Sequence, residues 1–405
     1  MADNALLIAA IGLLLQRHSA SWMAPALRLF FYFSYVLLAA FAGAVADAFP
    51  KGRVMLVSNL FKLGGCGLLL LQVHPLVAYG LIGLGAAAYS PAKYGILPEL
   101  LTAEELVTAN AWLEVSTVVS ILLGVALGGW LLDVAASFPF STGSPAVAAA
   151  IFIAGVYALA SACSAAITRV PASNSAALKD PRRLVCDFRQ ACIRLWQDPE
   201  SQVSIAVTSL FWAAAAVLQF VALQWAGQVL QLPLSQAALL QVAVAVGMMG
   251  GAMAASRWVP VSRALKVLPL GLALGVMLLL IMAVTQLWVA VVLLTAIGAV
   301  AGLFLVPMNA LLQKRGVLLV HSGQSIAVQN FYESLACLLM LTAYGLLLYA
   351  GVSLMHSIAG FGMFMLAAMT FIIWRHRAGR KASTARISAR AGIPANSSPG
   401  RSHST

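Results

Sequence analysis

Apolar runs long enough to cross a lipid bilayer follow one another along almost the whole chain. Roughly 20 consecutive apolar residues cross the hydrocarbon core as a helix, and short segments that carry most of the charges and prolines separate the runs. The runs are too long and too rich in leucine and alanine for the alternating strands of a membrane barrel, so they predict helices. The twelve predicted spans are residues 3–15, 24–46, 54–71, 76–97, 106–132, 146–167, 203–229, 234–255, 265–284, 288–312, 325–350 and 352–374.

A polar segment divides these spans into two sets of six. Its prolines and charges predict a cytoplasmic linker, and Phe188, Cys192, Leu195 and Trp196 predict a short interfacial helix within it. Beyond Trp374 the chain is basic and rich in serine and glycine, which predicts a disordered cytoplasmic tail. The predicted organisation is a six-helix half over 1–168, the linker over 169–201, a second half over 202–374 and the tail over 375–405.

Composition and charge agree with an all-α membrane protein. Hydrophobic residues make up 62% of the chain and charged residues 9%, whereas a soluble protein is about a quarter charged. A net charge of +12 suggests nucleic acid for a soluble protein, but in a membrane protein the basic residues mark cytoplasmic loops. With both termini in the cytoplasm, only Arg17 and Arg28 fall on the outer side, and no nucleic-acid partner is expected.

The cysteines give no sign of a disulfide framework or a zinc site. All five lie in predicted spans or on the predicted inner side, and they form no CxxC pair. We therefore expect no metal, no cofactor and no catalytic residue.

The two halves carry related polar pairs. Asn110 and Glu114 lie four residues apart in the fifth span, and Gln329 and Glu333 lie four apart in the eleventh. Those spans correspond under a six-plus-six repeat. Parallel repeats of this kind relate the halves of major facilitator transporters, so the sequence predicts that fold.

The segment GAVADAFPKGR at residues 43–53 resembles the loop signature of the same superfamily, with two extra residues before its Gly-Arg pair. We interpret Asp47, Lys51 and Arg53 as conformational gating residues, with Asp47 bound to basic groups or helix termini in one state and released in the other. The alternative is an ordinary charged turn.

Ionisable residues within spans are costly and mark candidate functional sites. They are Asp3, Lys62, Lys93, Glu114 and Glu333. A cation such as Lys93 suits a phosphate, although it is close enough to a span end to extend to the interface. Asp3, beside Asn4, suits an ammonium group or a partner such as Lys93, and Lys62 suits a structural ion pair.

Span eleven has a polar stripe, because Ser325, Gln329 and Glu333 share one helix face. Lipid does not tolerate such a face, so we expect it to face the other half or a water-filled cavity, as should Asn110, Glu114 and Thr117. The alternative is a hydrogen-bonded seam between helices. Trp212, Gln219 and Asn309 are further cavity candidates.

Several segments resemble the bacterial lysophospholipid transporter family, LplT, and together they cover nearly the whole core. They are ADNALL (2–7), GAAAYSPAKYGILPEL (85–100), LVTANAWLEVST (106–117), SLFW (209–212), VPMNALLQKRG (306–316) and IAVQNFYES (326–334).

This resemblance implies a multi-pass transporter of the bacterial inner membrane. It implies that the protein flips lysophospholipids, such as lysophosphatidylethanolamine, to the cytoplasmic leaflet, where a separate acyltransferase reacylates them. The implied partners are thus the lysophospholipid, membrane lipid and that acyltransferase. The expected substrate-binding residues are Asp3, Asn4, Lys93, Tyr94, Glu114, Gln329, Asn330 and Glu333.

Two departures from the family pattern matter. Members carry a longer segment before DNALL, so we expect the natural start to lie upstream; as written, the first span covers only about 20 Å at 1.5 Å per residue. A basic residue in span seven of some members aligns with Gln219 here.

Two other functions stay open. A proton-coupled exporter of drugs or metabolites would use Asp3, Glu114 or Glu333 as proton carriers. A membrane acyltransferase is less compatible with the sequence, because no histidine has a carboxylate five residues further on.

Overall fold

The structure is a computed structural model, and it describes residues 1–17, 23–137, 145–167, 171–172, 174 and 181–390. Throughout these residues the chain forms helices joined by short turns, and they contain no strand. A backbone inside lipid must satisfy its own hydrogen bonds, which helices do within each segment. The predicted all-α class is confirmed.

The first half contains the six predicted spans and one added helical turn. Its helices are α1 (Ala2–Gln16), α2 (Met23–Ala48), α3 (Lys51–Leu70), α4 (Pro75–Gly95), α5 (Leu97–Leu100), α6 (Leu106–Ser137) and α7 (Pro145–Ala165). The short α5 begins beside Pro98, which lies in its first turn.

A connecting helix leads into the second half. The remaining helices are α8 (Pro181–Gln197), α9 (Pro199–Gln228), α10 (Leu234–Trp258), α11 (Leu268–Leu280), α12 (Leu287–Leu319), α13 (Ser322–Tyr349) and α14 (Leu354–Arg390). Two 3₁₀ segments, Val261–Val267 and Ile281–Ala283, flank α11 and complete the ninth span.

Ten of the described helices are long and apolar enough to cross a membrane. They match ten of the predicted spans, and α1 and α4 occupy the positions of the first and fourth. The short α1 has an apolar stretch of only Ala2–Leu14. The longer α4 contains Lys93 and three tyrosines, which lower its hydropathy.

The last helix is longer than the sequence indicated. We predicted that the final span ends at Trp374 and that a disordered tail follows, but α14 continues to Arg390. This part of the tail is rich in alanine and arginine, which favour helices, and contains no proline. Residues 391–405 lie outside the described part of the chain.

Each half has its own apolar core. In the first half, Leu6, Leu27, Ile82 and Ile153 pack together with at most 1% of their surface exposed. The second core surrounds Phe304 and also takes in the start of α6. The helix α8 packs against the second half through a smaller cluster of Ala191, Leu195, Ile205, Leu312 and Val328.

Candidate functional site: a cavity between the two halves

A cavity of about 460 Å³ lies between the halves. Its wall is formed by α1, α2, α4 and α6 of the first half and by α9, α12 and α13 of the second. Most of the polar groups predicted to face a cavity are present. The polar lining residues include Asp3, Asn4, Arg28, Tyr32, Tyr35, Tyr79, Ser90, Tyr94, Glu114, Thr117, Gln219, Asn309, Gln313, Gln329, Asn330 and Glu333.

Asp3 is held by an ion pair within the first half. The Lys62 ammonium on α3 lies 2.9 Å from the Asp3 carboxylate, and the Tyr157 hydroxyl on α7 donates a hydrogen bond to the same carboxylate. Lys62 Nζ also lies 4.8 Å from the centroid of the Tyr89 ring. Asp3 thus pairs with Lys62 and not with Lys93, and the structural ion pair considered for Lys62 is present.

Lys93 adjoins the cavity through two of its lining residues. Its ammonium donates a hydrogen bond to the Thr117 hydroxyl at 3.3 Å and lies 4.9 Å from the centroid of the Tyr94 ring. Among the described residues no carboxylate oxygen lies within ion-pair distance of it. The hydrogen bond directs this cation towards α6.

Two of the three residues of the polar stripe of α13, Gln329 and Glu333, line the cavity as predicted, whereas Ser325 is buried against α12. The Gln329 amide donates hydrogen bonds to Asn309 at 2.9 Å and to Glu333 at 2.7 Å. Asn330 donates to Ser90 of α4 at 2.9 Å, so the stripe also connects the two halves.

On α6 the two predicted polar residues have different surroundings. Asn110 exchanges two hydrogen bonds with Gln313 of α12, at 2.7 and 2.9 Å, and forms a buried seam between the halves. Glu114 is only 4% exposed and lines the cavity. The seam interpretation thus fits Asn110, whereas Glu114 borders space that a ligand can enter.

A polar cluster joins the halves at one end of the cavity. We call Asp47, Lys51, Glu99 and Ser322 the Asp47 cluster. The Asp47 carboxylate accepts hydrogen bonds from the backbone N–H groups of Gly323 and Gln324, at 2.8 and 2.9 Å, and so caps the start of α13.

Lys51 and Glu99 complete this cluster. The Lys51 ammonium lies 2.5 Å from Glu99 and 3.8 Å from Asp47, and Glu99 accepts a hydrogen bond from Ser322. Arg53, the third predicted gating residue, is exposed, and its side chain makes no polar contact with described residues.

A second, apolar pocket opens beside the central cavity. It has a volume of about 330 Å³, and aliphatic and aromatic residues of α6, α9, α10, α11, α12 and α14 form most of its wall. Ile121, Trp212, Ala215 and Gln219 line both spaces. The sequence predicted Trp212 and Gln219 as cavity residues, but the pocket's leucines and valines look like lipid-facing positions, so no sequence signal identified it.

Arg28 is the functional candidate that sequence reasoning missed. It lies in the first two turns of α2 and lines the central cavity, where its guanidinium donates a hydrogen bond to Gln219 of α9 at 3.0 Å. Because Arg28 lies near the end of a span, the sequence suggested only a charge on the outer side of the membrane. The opposed position of Gln219 could have been the signal, but the pairing of α2 with α9 was needed to recognise it.

Two helical halves around a central cavity, joined by polar contacts, define a multi-pass membrane transporter. The family model of the Major Facilitator Superfamily matches residues 1–340. The lysophospholipid transporters LplT of Yersinia pestis (strain Pestoides F) and Yersinia pseudotuberculosis serotype O:3 (strain YPIII) are each 42% identical over 350 residues, which is 86% of this chain and 84% of theirs.

A crystal structure of the Escherichia coli fucose:proton symporter FucP aligns with a TM-score of 0.68 at 13% identity, over 93% of this chain and 96% of that one. This likeness concerns the fold alone. The chain belongs to the major facilitator superfamily and, within it, to the lysophospholipid transporter family LplT.

Proposed function

We propose that this protein transports lysophospholipids, such as lysophosphatidylethanolamine, across the bacterial inner membrane to the cytoplasmic leaflet. The observation that carries the proposal is the junction of a polar cavity with an apolar pocket at Ile121, Trp212, Ala215 and Gln219. A molecule with one charged headgroup and one acyl chain fits this pair of spaces, because each part finds a matching environment.

The polar groups of the cavity match the two charges of such a headgroup. Lys93 has no carboxylate partner among the described residues and suits the phosphate. Glu114 and Glu333 line the cavity and suit an ammonium group. Asp3 is already paired with Lys62, so we assign it the role of orienting that lysine and bordering the headgroup site.

The amide groups are the remaining part of the headgroup site. Asn4, Gln329 and Asn330 line the cavity and supply donors and acceptors for glycerol and phosphate oxygens. Tyr94 presents its ring to Lys93 and holds the ammonium beside the cavity.

We assign gating to the Asp47 cluster. Opening this end requires Asp47 to release the start of α13 and Glu99 to release Ser322. Lys51 would hold both carboxylates in position in the closed state. Arg53 contributes no contact to closure in this conformation, so any role for it belongs to the other state.

The membrane orientation of the protein and the route of its substrate follow from this assignment. We place both termini and the Asp47 cluster at the cytoplasmic face, because most loop lysines and arginines are on that side. An amphiphile enters sideways from the bilayer, with its headgroup in the cavity and its chain near lipid. The transported lysophospholipid is then reacylated by a separate acyltransferase in the cytoplasm.

A proton-coupled exporter of small molecules is the second candidate. The cavity-lining carboxyls Glu114 and Glu333 favour it, because such groups serve as proton carriers in transporters. Dissipation of the proton gradient distinguishes the two functions, since it should stop the exporter.

Uptake of labelled lysophosphatidylethanolamine by spheroplasts that lack their own transporter tests the proposal. We expect uptake by the unmutated chain, and its loss in Lys93→Ala and Asp3→Ala at equal protein level. Lys266→Ala, at an exposed lysine, is the matched control and should keep uptake. Absence of uptake by the unmutated chain, even with an upstream extension, would favour the exporter.

A further inference from the structure

Arg28 is an arginine that faces the cavity with most of its hydrogen-bonding capacity unused. A guanidinium has five N–H donors, and the only hydrogen bond that this one makes with described residues goes to the Gln219 side-chain oxygen at 3.0 Å. No carboxylate of the described residues lies within ion-pair distance. Arg28 is half-buried and lines the cavity, and its charge has no counter-ion among the described residues.

The position of Arg28 along the bundle is opposite to that of Lys93. Arg28 is five residues from the start of α2, about 8 Å along the axis at 1.5 Å per residue, whereas Asp47 lies at the far end of the same helix. Lys93 lies two residues before the end of α4, near the Asp47 cluster. Arg28 and Lys93, which have no carboxylate partner among the described residues, therefore lie near opposite ends of one cavity.

We propose that Arg28 binds the substrate phosphate at the end of the cavity away from the Asp47 cluster, and that Lys93 receives it nearer that cluster. This inference rests on the proposed function and names a binding residue for it. Guanidinium groups bind phosphate through two parallel N–H donors, which gives orientation as well as attraction. The Gln219 amide holds the guanidinium across the cavity while leaving these donors free.

The contact with Gln219 makes the proposal testable by exchange. Because the two side chains meet, a cation moved from α2 to α9 still lies in the same part of the cavity. The variant Arg28→Gln/Gln219→Arg should therefore keep phosphate binding, although each position has a different residue. If Arg28 had only a structural role, the exchange would not be expected to recover the binding of phosphate-containing ligands specifically.

Binding to the purified full chain in nanodiscs provides the measurement. The probes are lysophosphatidylethanolamine and a monoacylglycerol with the same acyl chain, which lacks the phosphate. We expect Arg28→Gln to weaken binding of the lysophospholipid about tenfold to a hundredfold, the typical effect of a charge-assisted hydrogen bond, and to leave monoacylglycerol binding unchanged. The reciprocal exchange should recover most of the loss.

Arg17→Gln is the matched control, because Arg17 is exposed at the same end of the bundle and donates to the Gln72 backbone oxygen. It should bind both probes like the unmutated chain. If Arg28→Gln weakens the binding of both probes equally, or of neither, the proposed role of Arg28 is wrong, while the proposed function stands. If the unmutated chain binds neither probe, the proposed function fails as well.

Discussion

Charged side chains inside the bundle differ in how their charge is balanced. Lys62 is 5% exposed and is neutralised by Asp3, while Arg28 contacts an amide and Lys93 a hydroxyl. A buried charge without a partner is costly in a low dielectric. We therefore infer a structural role for the Asp3–Lys62 pair and propose that the other two cations keep donors for a ligand.

The variant Lys62→Met tests the structural role of this pair. Among the described residues it leaves the Asp3 carboxylate with the Tyr157 hydroxyl, and we expect it to lose at least about 1 to 3 kcal/mol of stability, the usual value for an orphaned hydrogen-bond partner. The neutral double variant Asp3→Asn/Lys62→Met should recover most of this loss. Thermal unfolding in detergent is the measurement, and a double variant as unstable as the single one would contradict the account.

The sequence identified the charged residues of the site but not all of their partners. It offered a ligand ammonium group or a lysine such as Lys93 as the partner of Asp3. The choice of Lys62 depends on α1 lying beside α3 and α7, and no spacing along the chain encodes that neighbourhood. Arg28 was missed for the same reason.

Close contact between α10 and α12 depends on glycine. Gly247 and Gly251 of α10 meet the backbone of α12, and Gly298 and Gly302 of α12 meet the backbone of α10. Small residues four apart allow membrane helices to approach closely without a hydrophobic driving force. The spacing of these glycines is visible in the sequence, but which helix each pair meets is not.

Gly251→Leu should separate these two helices. A side chain there meets the Ala299 backbone, so we expect overpacking to cost about 1 to 3 kcal/mol and to lower the unfolding temperature. Gly250→Leu is the matched control, since no atom lies within 4 Å of a Cβ at that position. Equal effects of the two substitutions would show that the close glycine contact does not hold α10 to α12.

The start of α9 is stabilised by Asp198. Its carboxylate accepts a hydrogen bond from the Ser201 backbone N–H at 2.9 Å and pairs with Arg315 of α12. Burial alone would raise the pKa of Asp198, but the hydrogen bonds from Arg315 and Ser201 lower it below its ordinary value of 3.8. A lowered carboxylate pKa stabilises the folded state at pH values above the ordinary pKa, and this contribution disappears as the pH falls through the lowered one.

Asp198→Ala should therefore cost about 1 to 2 kcal/mol at neutral pH, the usual effect of losing a helix cap. Below pH 3.8 the difference between variant and unmutated chain should shrink, because the aspartate becomes protonated. Unfolding temperatures measured across this range provide the check. A difference that stays constant as the pH falls would show that the charge of Asp198 contributes nothing.

At the scale of the whole molecule, closure at one end depends on the Asp47 cluster and the seam of Asn110 with Gln313. Gly323 is needed there, because a Cβ on it would lie 2.7 Å from an Asp47 carboxylate oxygen. The sequence predicted that Asp47 would bind a helix terminus in one state, but it did not indicate which helix. The start of α13 is 276 residues away in the chain from Asp47.

Asp47→Ala should shift the conformational equilibrium towards opening at this end. It removes two charge-assisted hydrogen bonds to α13, and distances between spin labels on α2 and α13 should increase in the variant. Asp187→Ala, at an exposed carboxylate on the nearby α8, is the control and should leave the distances unchanged. Unchanged distances in Asp47→Ala would remove the gating assignment.

Much of the architecture was predictable, because each span must carry its own apolar run. The extent of α14 was not, since a basic segment rich in alanine is compatible with either a helix or a disordered tail. Nor was the apolar pocket, because it arises from residues of six helices that only the packing brings together. Local patterns therefore predict elements, and the site requires their arrangement.

The central claim is that a lysophospholipid occupies the polar cavity and the apolar pocket together. Transport of labelled lysophosphatidylethanolamine into proteoliposomes by Ala215→Trp tests it most directly, because Ala215 lines both spaces. Ala226→Trp would disturb the core, so Gly227→Trp, at an exposed glycine of the same helix, is the control. The account predicts transport by the unmutated chain and Gly227→Trp and its loss in Ala215→Trp; full transport by Ala215→Trp would contradict it.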